Sequence, residues 1–485
     1  MNGHVPLHGD RLVPSVRIIG GGLAGCEAAW QAAARGVPAT LHEMRPARGT
    51  AVHRGGGLAE LVCSNSLRGD KLDNAVGLLK EEMRRLGSLI MRAAEATRVP
   101  AGAALAVDRD AFSAFVTDAI TGHPLITVLR GEVTAIPPSN GPREAVVIAT
   151  GPLTSDSLSA AIAEFVGQDY LYFYDAISPI VSADSIDRGV AFRASRWGRS
   201  LGPADTVGPD GPHEAEGASG PACGVDDGRG DYLNCPMNAA EYRAFYDALV
   251  HAQSATVHDF DRERFFEGCL PIEVLAHRGI DTLRFGPMKP VGLTDPRTGR
   301  RPYAVVQLRQ DSLAGDHFSL VGFQTQLKWG EQERVLRMIP GLGHAEFVRF
   351  GMVHRNTYIN GPTVLRETWQ TKCRHDLFFA GQISGVEGYV ESAASGLLAG
   401  IGAAAMAVGQ PLRAAPRTTA IGALAYYVSH ASAGHYEPSN ITFGIMEPLE
   451  SPPRNKLDRK AALSARALGD LDRWMASGGV GLQGE

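Results

Sequence analysis

No two of the six cysteines in this 485-residue chain form a CxxC pair, and no His/Cys group has metal-ligand spacing. Neither a zinc site nor a dithiol redox centre is expected. Aromatic residues make up only 7%, and neither sign of charge dominates: 47 Lys+Arg stand against 52 Asp+Glu, a formal net charge of −5. That balance excludes a protein that coats nucleic acid over its whole surface, so an RNA partner would have to be held by a local basic patch. Long apolar runs are missing too. The leader before Val16 carries His4, His8, Asp10 and Arg11 instead of a signal-peptide core. The most apolar later stretch, Ser395 to Gly409, is mostly Ala and Gly and falls short of the roughly 18–20 residues that span a bilayer. It reads as a buried helix of a cytoplasmic protein with no membrane partner.

Glycine and proline, in contrast, are abundant at 57 and 29 residues, within a chain that is 44% apolar. The apolar fraction excludes disorder of the whole chain, and the length suggests about three folding units at roughly 150 residues each. Frequent glycine implies tight turns and close backbone approaches, which suits an enzyme with ligand-cradling loops better than a helical bundle. The density peaks between Gly198 and Gly230, where nine Gly and four Pro fall within 33 residues. This segment reads as a surface loop that folding does not need.

The first ordered element is a short β-branched run, Val16 to Ile19, followed by Gly20-x-Gly22-x-x-Gly25, an Ala-rich stretch to Arg35, and a second extended run ending at Glu43. Strand, glycine turn, helix and strand make one βαβ unit with a dinucleotide fingerprint. Its glycines admit a pyrophosphate at the helix N-terminus, and the acid at the end of the second strand is placed to bind ribose hydroxyls. Gly20, Gly21, Gly22, Leu23, Ala24, Gly25 and Glu43 are therefore candidate cofactor contacts. Two more buried parallel-type strands, Ala145 to Ala149 and Asp376 to Ala380, open onto Gly151 and onto a glycine-rich block containing Gly381, Gln382, Glu387, Gly388 and Tyr389. A second approach to one cofactor, with only one fingerprint in the chain, points to FAD without a separate nicotinamide domain. Apolar residues at Leu79, Met83, Leu86 and Ile90 predict one amphipathic helix over 78–90.

The expected architecture is α/β: a Rossmann-like, glutathione-reductase-like FAD-binding domain in two parts, 16–175 and 346–445, interrupted by an α+β insertion domain at 176–345. A C-terminal helix and tail occupy 446–485.

Several segments together are specific enough to resemble a known family. They are Ile18 to Ala29, His42-Glu43-Met44-Arg45-Pro46, Glu60 to Arg68 around Cys63, Tyr232 to Met237 around Cys235, Gly286 to Leu293, and Gly381 to Gly400. All resemble the folate- and FAD-dependent tRNA (uracil-5-)-methyltransferases, from about residue 16 to 475. The resemblance implies that the methylene of 5,10-methylenetetrahydrofolate is placed on C5 of the T-loop uridine at tRNA position 54, with electrons from NADH or NADPH passing through FAD. It adds Arg45 to the cofactor contacts. Uracil C5 becomes nucleophilic once a thiolate adds at C6, and the resemblance gives that attack to Cys235, with Cys63 as base or activator. Arg278, Arg284 and Lys289 are candidate folate contacts. Lys372, Arg374 and His375, with Arg454, Lys456, Arg459 and Lys460, are candidate tRNA-phosphate contacts. Cys26 is expected to pack in the core, and Cys223 to be incidental. Two rivals remain: a noncatalytic RNA-binding flavoprotein, and the related family that modifies wobble uridines, whose C-terminal helical region is longer than this chain provides.

Overall fold

The computed structural model describes residues 13–50, 52–167, 171–198, 230–255 and 270–477. Most of the Gly/Pro-rich stretch expected as a dispensable loop, with Cys223, lies outside the described residues, as does Cys269.

Ser15–Ile19 forms the centre of a five-stranded parallel sheet, in the order Leu377–Phe379, Glu144–Ile148, Ser15–Ile19, Ala39–Glu43, Ile126–Arg130. Ala145 to Ile148 and Leu377 to Phe379 are continuous buried apolar runs, whereas Ala39–Glu43 alternates buried residues with the partly exposed Thr40 and His42. Strand order reverses beside Ser15–Ile19, where Ile19 registers with His42 on one side and Ile148 on the other. A crevice opens beyond the carboxyl ends at such a switch point.

Helix Leu23–Ala33 leaves the sheet here and packs against the long helix Tyr389–Ala407 with almost no space between them. A Cβ on Gly396 would lie 2.1 Å from Ala24 O, and one on Gly400 would lie 2.6 Å from Ala28 Cα. The long helix starts at Tyr389, ahead of the expected Ser395. Its length and hydropathy would suffice to cross a membrane, but 78% of that apolar window is buried inside the protein, as expected of a core helix. Gly396→Val is expected to cost more than about 3 kcal/mol in urea denaturation, because backbone cannot yield to a side chain at that distance. Gly469→Ala, on the exposed side of helix Lys456–Ala476 with nothing within 4 Å, is expected to be neutral or to stabilise by about 0.5–1 kcal/mol.

The helix expected over 78–90 is two helices, Ala75–Arg85 and Leu89–Ala96. Gly87 turns the chain at φ +74°, and the Ser88 side chain accepts from Met91 N to cap the second helix. All four periodic residues are buried. Apolar spacing therefore runs across the break, where Gly87 turns the chain and Ser88 caps the next helix.

A second, six-stranded antiparallel sheet is built in the order Phe192–Ala194, Tyr232–Met237, Ala304–Gln310, His317–Leu320, Ile180–Ser182, Phe347–Arg349. Its apolar core, from Val181 to Ala345, is separate from the core around the parallel sheet. The chain passes between them on two strands, Leu171–Ala176 and Val353–Tyr358, paired antiparallel along their whole length.

Candidate functional site

The crevice at the switch point is a cleft of about 1040 Å³ lined by the fingerprint turn. Each glycine has its own task. Gly20 has φ +109°, and a Cβ there would sit 2.4 Å from Ala149 O. At Gly25 the clash would be with Gly20 O at 1.8 Å, so this residue sets the helix against the strand and does not line the cleft. A Cβ on Gly22 would meet nothing within 4 Å. Gly22 also precedes helix Leu23–Ala33, whose N-terminus has no side-chain cap. Open space in front of unsatisfied N–H groups is what an incoming pyrophosphate needs, and a dinucleotide fits this cradle.

Gly20, Gly21, Gly22, Leu23, Ala24, Glu43, Arg45, Gly151, Gly381, Gln382 and Tyr389 all line the cleft. Glu43 accepts from Gly21 N at 2.9 Å through Oε2, and from the backbone N and Nε of Arg45, each at 2.9 Å, through Oε1. Burial raises its pKa, but the Arg45 hydrogen bonds and charge override this and the net shift is downward. Arg45 in turn bonds Glu60 at 2.9 Å. Glu43 thus anchors the fingerprint turn through Gly21, and a ribose would share its carboxylate with Arg45.

A second chamber adjoins the cleft, sharing Val62, Pro152, Gln382, Tyr389 and Ser392 with it. Glu387 and Gly388, expected at the cofactor, line this chamber instead. Cys63 is in its wall. The Tyr389 hydroxyl accepts from Cys63 N at 2.8 Å and Ser64 N at 3.4 Å, and lies 3.0 Å from Cys63 Sγ. With two donors already directed at its oxygen, the hydroxyl proton is left to donate to sulfur. Burial and the neighbouring thiol push the Tyr389 pKa well above its usual value, so it stays a donor.

Three guanidiniums converge on the same loop. Arg109 donates to Leu61 O at 2.8 Å and Cys63 O at 3.2 Å, and Arg309 donates to Ser64 Oγ at 2.8 Å and Asn65 Oδ1 at 2.8 Å. Arg349 donates to Val62 O. All three interact electrostatically with Cys63. Burial pulls Arg349 down to about 10, which leaves it charged at neutral pH. Three cations and a hydroxyl donor thus surround the Cys63 thiol. Buried Asn65 donates to Val107 O at 2.9 Å and Gln310 O at 3.0 Å, tying the loop to both cores.

Cys235 is placed differently. It is 0% exposed in strand Tyr232–Met237, inside the second core, and lines neither cavity. Burial pushes its thiol up to about 12, against the pull of Arg188 and Arg297. The structure therefore does not bring the two expected cysteines together. Nor does it bring Arg278, Arg284 or Lys289 to the chamber. Arg284 lies 3.6 Å over the Tyr303 ring and pairs with Asp281 at 2.7 Å. Of the expected phosphate contacts, Arg374 is paired with Asp376 at 2.8 Å, while Arg454, Lys456 and Arg459 are exposed. Cys26 is buried in the first core as expected.

Sequence reasoning missed Arg109, Arg309 and Arg349, which come from three distant segments with no shared motif. Only their convergence on residues 61–65 identifies them. Arg309 and Arg68, which pairs with Glu391, also line the chamber, and Arg68 already stood at the end of the first cysteine motif.

A profile of the family described as Glucose inhibited division protein A matches residues 15–208 and 221–411. The chain is 56% identical over 458 residues to a protein of Geotalea uraniireducens named methylenetetrahydrofolate--tRNA-(uracil-5-)-methyltransferase TrmFO, covering 94% of this chain and 98% of that protein. A relative of the same name from Pelotomaculum thermopropionicum is 55% identical over 460 residues, covering 95% and 98%. Among solved structures, Aquifex aeolicus GidA in its form I crystal superposes with a TM-score of 0.67 at 19% identity, over 97% of this chain and 76% of that one. This last likeness is one of fold.

Proposed function

Since the chain belongs to the methylenetetrahydrofolate--tRNA-(uracil-5-)-methyltransferase family, within the broader glucose inhibited division protein A family, we propose that its pyrimidine chemistry takes place in the chamber around Cys63. The protein is a folate- and FAD-dependent enzyme that methylates C5 of uracil in tRNA. The target is the T-loop uridine at position 54, the product is ribothymidine, and the electrons come from NADH or NADPH in the cytoplasm. The two apolar cores support a division into a flavin-binding unit, 16–175 with 346–445, an insertion at 176–345, and a C-terminal segment from 446.

When bound, FAD supplies the electrons that take the transferred carbon from methylene to methyl. The fingerprint turn, Glu43 and Arg45 would hold the dinucleotide, with Gly151, Gly381 and Gln382 lining the same cleft. Cys63 supplies the thiol: Tyr389 donates to its sulfur, and Arg109, Arg309 and Arg349 favour its anion. The observation that carries this reading is the adjoining of the two cavities at Tyr389, which puts one thiol at the border between cofactor cleft and substrate chamber.

Incubating the protein with unmodified tRNA, methylenetetrahydrofolate and NADPH is expected to yield 5-methyluridine at position 54 in digested RNA. Omitting the folate should remove the product. Product formed without it, or at another position, would overturn the assignment.

A further inference from the structure

The insertion half carries a three-layer aromatic stack that the chemistry above leaves unused. Trp329, the first residue of helix Trp329–Leu336, lies nearly parallel to Phe350, with ring centroids 5.8 Å apart and planes at 15°. Phe350 lies on Phe347 at 5.2 Å and 20°. Trp329 is 63% exposed at the outer end of the stack. The stack borders Phe347–Arg349, the outermost strand of the six-stranded sheet, whose Val348 is exposed as well.

One side chain ties this patch to the chamber wall, which Val62 and Cys63 line. Arg349, on the same strand, donates to the carbonyl of Val62, the residue before Cys63. Exposed Arg54 is near enough to Arg349 to interact with its charge. The acids of the neighbouring helix are already matched, Glu331 with Arg334 at 2.6 Å and Glu333 with Arg337 at 2.7 Å. Glu346, next to the strand, is exposed as well. Two interacting cations, Arg349 and Arg54, therefore accompany the strand that carries Phe347.

A uracil that enters a chamber set between two cores must leave its own base stack, and the nucleotides beside it lose a stacking partner. Aromatic side chains next to basic ones replace that loss for any base, since every base offers a π face. We propose that Trp329, backed by Phe350 and Phe347, is the platform on which an unpaired nucleotide next to the target uridine stacks while the uracil is in the chamber. The proposal rests on tRNA being the substrate.

Trp329→Ala and Trp329→Phe test it in the full-length, flavin-loaded protein with T-arm RNA and whole tRNA. Trp329→Ala is expected to raise KM for RNA about tenfold or more, with kcat within about twofold and flavin content unchanged. Trp329→Phe should recover most of the loss, and quenching of protein tryptophan fluorescence on RNA addition should be reduced in both variants. An unchanged KM in Trp329→Ala overturns the proposal. So does a loss of kcat together with flavin, which would make Trp329 a fold residue only. Wild-type protein run alongside separates the two readings: if it forms no 5-methyluridine, the functional assignment fails, whereas wild-type product with an unaffected Trp329→Ala sinks the platform alone.

Discussion

Cys63→Ala is expected to lower turnover at least about a thousandfold, while Cys235→Ala stays within a few-fold of the wild type. The asymmetry follows from where the structure puts the two thiols. Cys63 stands in the chamber wall with Tyr389 Oη at 3.0 Å and three guanidiniums around its loop. Cys235 is sealed in the second core with its thiol pushed up to about 12, so it is scarcely ionised at neutral pH. Its replacement should cost about 1 kcal/mol of stability through a small cavity, and little else. Substrate RNA carrying 5-fluorouridine at the target gives a second readout, because no C5 proton can leave and a covalent adduct accumulates. That adduct should survive denaturing gels in Cys235→Ala, and peptide mapping then identifies the thiol that bears it. Adduct and turnover both lost in Cys235→Ala would restore the role that the sequence resemblance gave that residue. Full turnover in Cys63→Ala would remove the thiol from the chamber chemistry altogether. Tyr389→Phe is the informative companion: it keeps the ring and removes the hydrogen bond to sulfur, so a loss of rate with flavin content unchanged would tie that bond to the chamber chemistry.

Gly22→Val should yield a folded, colourless protein. Such substitutions usually confound binding with folding, and here the two are separable. Gly22 has φ −78° and ψ −170°, which any residue adopts, and no protein atom lies within 4 Å of the position a Cβ would take. Valine would project only into the space in front of the helix N-terminus, where the pyrophosphate must come to reach the N–H groups. A loss of roughly a hundredfold or more in FAD affinity, about 3 kcal/mol, is expected with the circular dichroism spectrum unchanged. Gly25→Val is the contrasting case. A Cβ there would be 1.8 Å from Gly20 O, so that protein should fail to fold as well as fail to bind. Full flavin occupancy in Gly22→Val would place the dinucleotide elsewhere.

The fingerprint was legible because each of its glycines answers a local demand: a positive φ at Gly20, an open approach at Gly22, and helix-to-strand contact at Gly25. Such demands involve residues a few positions apart, and the chain records them as a motif. The strands Glu144–Ile148 and Leu377–Phe379 were legible for a similar reason, since full burial leaves an unbroken apolar run from Ala145 to Ile148 and from Leu377 to Phe379. The break at Gly87 shows the limit even locally. Four buried residues kept helical spacing across two helices, because both pack on one core and periodicity reports the core, not the continuity of the helix.

By itself, then, the sequence determined the α/β class and the dinucleotide cradle, both properties of contiguous segments, while the resemblance of its motifs pointed to Cys235 as nucleophile and Cys63 as base or activator. Only the tertiary structure decided which cysteine reaches the chamber. Cys235 and Cys63 sit in equally distinctive motifs, but β-strand alternation turns Cys235 into the second core with Leu233 and Met237, while a loop pinned by Asn65 leaves Cys63 at the cavity. The charges around that thiol were likewise invisible in one dimension. Arg109, Arg309 and Arg349 stand on separate elements of both halves, and an electrostatic field depends on distances through space that a linear chain acquires only by folding.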